Sequence, residues 1–184
     1  MFKNCRQLTC TATDSSSFPC GSVSSFVSMF DLAKKFNGDI DGFDVSSATN
    51  MKRMFDEALE FNQDLNSWDV SSVSNFEEMF YTADDFNGNI TSWDTSSATN
   101  MKYMFGFNPS FNQDISGWDV SSVTLLLGFL QCNKASPGSL NQDLSGMVFS
   151  SVTDGSIIII GGQSNMSQAK MPYYGNGTSQ FDYV

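Results

Sequence analysis

The chain has 184 residues, of which 40% are hydrophobic and 16% charged, so it is neither disordered nor too short to form a continuous core. Its formal net charge of −11 makes nucleic acid and anionic membranes poor partners, because both are negatively charged. Histidine is absent, which removes the commonest general base and the commonest zinc ligand.

Residues 1–20 hold three of the four cysteines and are predicted to form a cysteine-containing N-terminal cap. The opening letters MFKNCRQLTC lack the apolar core of a signal peptide, so either the start is already mature or part of a precursor precedes it. We expect one disulfide among the N-terminal cysteines. A bond from a leftover cysteine to a neighbouring molecule is one hypothesis. A free buried Cys132 and a flexible N-terminus folded along the side are the alternatives. The disulfide candidates are Cys5, Cys10, Cys20 and Cys132.

A 25-residue period runs through residues 21–160, with copies that begin near residues 36, 61, 86, 111 and 140. A fixed period of this size is typical of a solenoid, in which each unit buries its apolar face only against its neighbours. We therefore expect the apolar side chains that recur at each position to form the core. They are Phe36, Phe61, Phe86 and Phe111; Phe43, Trp68, Trp93 and Trp118; and Met54, Met79 and Met104.

Within one repeat the pattern changes from that of a strand to that of a helix. The letters DISGWDV, Asp114–Val120, predict a short strand entered from a turn. The letters NMKRMFDEA, Asn50–Ala58, predict a short helix with Asn50 as its N-cap. The predicted fold is an α/β solenoid of about 25-residue coils, each a short strand plus a short helix, with a parallel sheet on one side.

An asparagine recurs at the same position in every repeat, directly after a phenylalanine in the first four copies and after Leu140 in the fifth. We interpret this column as an inward ladder whose amides bond the backbone of adjacent coils, in preference to a strip that binds a ligand. The ladder positions are Asn37, Asn62, Asn87, Asn112 and Asn141.

Two further polar columns offer alternatives between structure and function. The carboxylates are expected to accept hydrogen bonds from the serine turn that follows each of them, and calcium bridging between coils is the alternative. No repeated D-x-D-x-D string occurs, so we predict no cofactor. The hydroxyl column could serve as an ice-binding array or as an ordinary edge. The columns are Asp44, Asp69, Asp94 and Asp119, and Thr49, Ser74, Thr99, Thr124 and Thr153.

Three glycosylation sequons begin at Asn89, Asn165 and Asn176, which is close to the number that chance predicts. Asn89 replaces the aspartate found at the matching positions 64 and 114, so it is expected on an accessible turn.

The letters FNQDISGWDVSSVTL and TNMKRMF resemble the roughly 25-residue repeat of bacterial surface proteins of the BspA type, which is abundant in mycoplasma surface lipoproteins. The resemblance implies a leucine-rich-repeat-like fold and a place at the cell surface, in adhesion or in an extracellular matrix. It implies no particular ligand. After Val123 the letters LLLGFLQCN depart from the pattern, which indicates a capping or interface role for the last coils.

The end of the chain combines a β-prone run with a polar tail at residues 161–184, which is rich in glycine, asparagine and tyrosine. Either the run caps its own solenoid, or the run or the tail docks on the next protomer by adding a strand. A head-to-tail contact of the second kind does not close, and it builds a filament. The assembly candidates are Ile157, Ile158, Ile159, Ile160, Tyr173 and Tyr174.

An enzyme is the weakest class of function, because the chain has no histidine, nucleophile motif, phosphate loop or metal-ligand cluster. No stretch approaches the roughly 20 apolar residues of a membrane span. We predict a non-enzymatic extracellular structural repeat protein that assembles with itself into a surface layer or filament. The second reading is a cell-surface adhesion module that binds a protein or glycan through one solenoid face. The third reading is an ice-binding protein.

Overall fold

A computed structural model describes residues 22–131, 139–153 and 173–174. Several sequence predictions lie outside these ranges and are not addressed by the structure. They are the disulfide candidates Cys5, Cys10, Cys20 and Cys132, the sequons at Asn165 and Asn176, and the run Ile157–Ile160.

The described residues contain two strands, β1 (Val148–Phe149) and β2 (Tyr173–Tyr174). These strands pair in parallel, with Val148 opposite Tyr173 and Phe149 opposite Tyr174. No helix occurs among the described residues. The prediction of an α/β solenoid whose coils each contain a strand and a helix, with a parallel sheet on one side, is therefore wrong.

The predicted helix at 50–58 does not form because left-handed residues interrupt it. Arg53 has φ 57° and Glu57 has φ 53°, and a right-handed helix cannot pass through either conformation. The same two positions are left-handed in successive repeats. The two columns are Ser28, Arg53, Glu78, Tyr103 and Gly128, and Leu32, Glu57, Thr82 and Phe107.

The backbone amides of this segment bond in two alternating directions. The amide of Arg53 donates to the carbonyl of Glu77 at 2.9 Å, in the next repeat, whereas the amide of Met54 donates to Met51 at 3.1 Å, three residues back. A helix would direct every amide to the residue four positions back. The segment is therefore a series of tight turns that is bonded to its neighbour at every second residue.

The predicted strand at 114–120 is also replaced by turns. The amide of Trp118 donates to Ile115 at 3.1 Å, and the amide of Val123 donates to Val120 at 3.1 Å. Within residues 22–131, strand-like pairing between repeats is limited to single parallel bridges that recur every 25 residues. The bridges join Ser25 to Asn50, Asn50 to Asn75, Asn75 to Asn100, and Asn100 to Leu125. We call these consecutive, hydrogen-bonded repeats the turn array.

Aromatic and apolar side chains from every repeat form one core inside the turn array. The rings of Phe55 and Phe80 stack at 5.4 Å across two repeats, and Phe55 also stacks on Phe61 at 4.2 Å. The rings of Trp93 and Trp118 stack at 6.0 Å. All the positions predicted from the period are buried. They are Phe36, Phe61, Phe86, Phe111, Phe43, Trp68, Trp93, Trp118, Met54, Met79 and Met104.

Candidate functional site

The asparagine column forms a ladder of hydrogen bonds between repeats. The amide N–H of Asn87 donates to Oδ1 of Asn62 at 2.8 Å, and the amide N–H of Asn112 donates to Oδ1 of Asn87 at 2.8 Å. The ladder continues from Asn37 through Asn141. Its members are exposed or half-buried, so the ladder lies at the surface and does not point inward. The side-chain oxygens of the first four members accept the backbone amide of the next repeat.

The aspartate column closes the serine turns. Oδ1 of Asp44 accepts from the backbone amide of Ser46 at 3.1 Å and from its hydroxyl at 2.6 Å. These bonds to the hydroxyl and the amide of the following serine hold the pKa of three column carboxyls, Asp44, Asp94 and Asp119, below the usual value. Among the described residues, no group of three or more metal-ligating side chains could hold an ion.

The hydroxyl column is bonded to the backbone of the preceding repeat. Oγ1 of Thr99 donates to the carbonyl of Ser74 at 3.1 Å, and the Ser74 hydroxyl donates to the carbonyl of Thr49 at 3.2 Å. Thr124 and Thr153 repeat this contact. Each of these hydroxyl protons thus forms a hydrogen bond that joins two adjacent repeats.

The tryptophans carry a polar contact into the core. The indole N–H of Trp93 donates to the carbonyl of Leu65 at 2.8 Å, and that of Trp68 donates to Ile40 at 3.1 Å. Each indole therefore bonds the preceding repeat while its ring is buried.

The described part of the chain buries two carboxylates around one guanidinium. The side chains of Asp31 and Asp56 are 4% and 5% exposed, and Arg53 lies between them. Nη2 of Arg53 is 2.6 Å from Oδ2 of Asp56 and 3.8 Å from Oδ1 of Asp31. Glu78 contributes a third carboxylate, whose Oε2 is 3.6 Å from Nε of Arg53. We call these four residues the charged cluster.

Burial is the largest single influence on the pKa of Asp56 and of Arg53, but it prevails only at Asp56. It raises the pKa of Asp56 to about 6 against the opposing pull of Arg53, and the charges of Asp31 and Glu78 add to the rise. Burial opposes the charged form of Arg53, yet the surrounding carboxylates outweigh it and raise the pKa of the guanidinium. Burial, with the charge of Asp56, also raises the pKa of Tyr81.

Three half-buried rings form an aromatic patch beside the charged cluster: Tyr81, Tyr103 and Phe107. Tyr81 meets Tyr103 edge-on at 6.0 Å and Phe107 edge-on at 5.4 Å. The Tyr103 ring covers Gly128 so closely that a Cβ built there would lie 2.2 Å from Cε1. The patch therefore combines fixed ring orientation with partial exposure.

The first described repeat presents a row of open backbone acceptors. In every later pair of repeats, alternate carbonyls accept amide bonds from the preceding repeat, as Met54 accepts from Phe30 at 2.8 Å. The matching carbonyls of the first repeat accept no hydrogen bond from any residue within the described ranges. They belong to Ser25, Val27, Met29 and Asp31.

The sequon at Asn89 lies on a half-buried turn. Oδ1 of Asn89 accepts from the hydroxyl of Thr91 at 2.9 Å and from its amide at 3.1 Å. The carbonyl of Asn89 accepts the amide of Leu65 at 3.0 Å, so the turn is tied to the preceding repeat.

Sequence reasoning missed the charged cluster. A signal was present, because the letters MFD occur at 29–31 and again at 54–56, which places an aspartate directly after a core phenylalanine in successive repeats. No comparable sequence pattern marks the left-handed positions that direct these aspartates toward Arg53.

A family model described as "Mycoplasma protein of unknown function, DUF285" matches residues 1–107 and 68–170, which together cover more than half of the chain. The chain belongs to this family. The description of DUF285 agrees with the expected resemblance to mycoplasma repeat proteins. It states no activity. No curated protein and no solved structure matches the chain. No helix within the described ranges of this DUF285 chain is long and apolar enough to cross a membrane.

Proposed function

We propose that this protein is a non-enzymatic structural repeat protein of the cell surface that assembles with itself by head-to-tail stacking of turn arrays. The row of open carbonyls at the first described repeat carries the proposal. A second copy of the chain is the proposed occupant, because the turn array itself shows which donors fit these acceptors. The resemblance to the BspA-type repeat supports the surface location.

The polarity of the hydrogen bonds supports a head-to-tail arrangement. In this row, each amide donates toward the C-terminal neighbour, as Phe26 donates to Asn50 at 2.9 Å and Ser28 donates to Lys52 at 2.9 Å. An N-terminal edge therefore offers acceptors alone in this row, and two such edges cannot pair with each other. Heterologous contacts of this kind produce open chains of subunits.

The polar columns also support a structural function. The side chains of the asparagine, threonine and tryptophan columns all form hydrogen bonds with the adjacent repeat. Each net hydrogen bond of this kind stabilises the contact between repeats by roughly 1 kcal/mol.

The experiment uses the full chain and a lysine at the open edge. Val27 is 44% exposed and its carbonyl is one of the open acceptors. Position 27 matches Lys52 and Lys102 in later repeats, so lysine fits the turn, and charge on an edge opposes pairing. We expect concentration-dependent polymers by sedimentation velocity and filaments by electron microscopy, and we expect Val27→Lys to reduce both.

The control is Ser72→Lys, which adds the same charge at an exposed turn in the middle of the turn array. We expect it to assemble like the unsubstituted chain. An unsubstituted chain that stays monomeric at high concentration, or equal assembly by Val27→Lys, would overturn the proposal.

The aromatic patch favours adhesion as the second candidate. Half-exposed rings at Tyr81 and Tyr103 beside the carboxylate of Glu78 offer apolar faces and hydrogen-bond acceptors, a combination suited to a glycan. A monomeric chain that binds glycans, and loses them on Tyr103→Ala, would favour this candidate over assembly.

A further inference from the structure

The charged cluster joins three successive repeats, with two buried carboxylates beside a guanidinium that is 41% exposed. Asp31 comes from the first described repeat, Arg53 and Asp56 come from the second, and Glu78 comes from the third. Three carboxylates thus surround a single guanidinium, and the side chains of Asp31 and Asp56 are more than nine-tenths buried. An excess of buried negative charge is costly unless a further cation or a proton is bound.

The hydrogen bonds of the cluster are unequally shared. Nε and Nη2 of Arg53 both donate to Oδ2 of Asp56, at 2.7 and 2.6 Å. Oδ1 of Asp31 is buried and makes no hydrogen bond, since Nη2 of Arg53 is 3.8 Å away. A buried carboxylate oxygen without a donor is destabilising, because it has lost its hydration without gaining a partner. Oδ1 of Asp31 therefore lacks a hydrogen-bond donor.

We propose that the charged cluster is a proton-binding site, in which the carboxyl of Asp56 takes up one proton on mild acidification and becomes neutral while Arg53 stays paired with the carboxylates of Asp31 and Glu78. The proton adds to one carboxylate oxygen, and no bond between heavy atoms changes. It lowers the excess negative charge among the three repeats. Acidification thereby tightens the contact between the first and second described repeats.

The environment of Asp56 supports a proton in the mildly acidic range. Burial is the largest cause that raises the pKa of its carboxyl to about 6, and Asp31 and Glu78 raise it further while Arg53 lowers it. Tyr81 also faces Asp56, and its own pKa is raised by burial and by the carboxylate, so the phenol stays neutral in this range. Arg53, Asp31 and Glu78 are the charged groups with the largest effect on Asp56.

The sign of the effect follows from the direction of the shift. The folded chain holds a proton on Asp56 up to about pH 6, whereas the unfolded chain releases it near the ordinary value of 3.8. The contribution to stability is therefore fully present below the ordinary value and is lost as the pH rises through about 6. The carboxyls of Asp44 and Asp94 act oppositely, because their pKa is lowered and their contribution is lost as the pH falls below 3.8.

The test combines a carboxyl titration with unfolding at two pH values. The side-chain carboxyl carbons of the full chain are followed by NMR from acid to neutral pH, at two protein concentrations that separate titration from assembly. We expect the carboxyl of Asp56 to titrate between pH 5 and pH 7 (a window of about one unit around the folded pKa). Titration of Asp56 at or below the ordinary value would overturn the proposal, and this result needs no variant.

Asp31→Asn provides the second measurement, because the amide removes the negative charge and replaces one carboxylate oxygen with an N–H donor. We expect the titration of Asp56 to move down by about one pH unit. The loss in urea midpoint from about pH 5 to about pH 7 should shrink to about half or less of that of the unsubstituted chain. Asp69→Asn, at an exposed serine turn, is the control and should leave both unchanged. An unaltered titration of Asp56 in Asp31→Asn would contradict the shared site.

Discussion

Gly88 shows how closely the backbones of adjacent repeats approach at a single residue. A Cβ built on Gly88 would lie 2.1 Å from the carbonyl oxygen of Gln63, a backbone atom that cannot move aside alone. Gly117 offers the contrast, since a Cβ built there meets nothing within 4 Å. Steric crowding therefore explains the glycine at position 88. It does not explain the glycine at position 117, where the turn conformation is the remaining reason.

We predict that Gly88→Ala destabilises the chain by about 2 kcal/mol or more, because the added methyl group forces two repeats apart. Gly117→Ala should be neutral or stabilising by up to about 1 kcal/mol, through the reduced entropy of its unfolded chain. Urea unfolding followed by tryptophan fluorescence measures both. Equal losses in the two variants would show that the close approach at Gly88 is not real.

The tryptophans illustrate what a residue column does and does not reveal. The spacing of Trp68, Trp93 and Trp118 predicted one buried row, and the structure buries all three. The bond from each indole to a carbonyl of the preceding repeat could not be predicted, because it depends on where the turn places that carbonyl.

At the scale of an element, the sequence misled at the segment 50–58. Met51, Met54, Phe55 and Ala58 have helical spacing, and all four are buried, yet the chain runs through turns. The bond expected of the N-cap does form, since Oδ1 of Asn50 accepts the amide of Lys52 at 3.0 Å, but it closes a turn. Arginine and glutamate favour helices and give no warning of the left-handed positions 53 and 57. The bonds to the neighbouring repeat decide the conformation.

The asparagine ladder is the element that can be weakened without touching the core. Asn62→Ala removes the acceptor for the amide of Asn87, whereas Asn62→Asp keeps an oxygen in its place. We predict that Asn62→Ala costs about 1 kcal/mol in unfolding free energy, since the freed amide lies near solvent. Asn62→Asp should cost less. Urea unfolding measures both variants.

Ser72→Ala is the matched control for the asparagine variants, because Ser72 is an exposed residue of a neighbouring turn. We expect its unfolding free energy to equal that of the unsubstituted chain. An alanine at position 62 that costs no more than the one at position 72 would show that the ladder adds no cohesion.

At the scale of the whole molecule, the basic side chains of the described residues lie on, or directly after, the segments that match the expected helix at 50–58. In the described ranges the cations are Lys34, Lys35, Lys52, Arg53 and Lys102. Ion pairs there join adjacent repeats, as Lys52 meets Glu77 at 2.9 Å and Lys34 meets Glu57 at 3.0 Å. None of the ion pairs found among the described residues includes a member of the aspartate column. Exposed pairs of this kind contribute about 1 kcal/mol or less each.

The period determined which residues share an environment, and it did so for the whole molecule. It could not determine the path of the chain inside one period, because equal spacing is compatible with helices, strands or turns that bury the same side chains. The charged cluster was hidden for the same reason. Asp31 and Arg53 meet only because the turns direct them to one point.

The central claim is that alternate amides of each repeat bond carbonyls 24 residues further along the chain, and NMR couplings across hydrogen bonds test it most directly. We predict couplings from the amide nitrogen of Phe55 to the carbonyl carbon of Met79, and from that of Phe80 to Met104. A coupling from Phe55 to Met51, four residues back, would indicate a helix and would contradict the turn array.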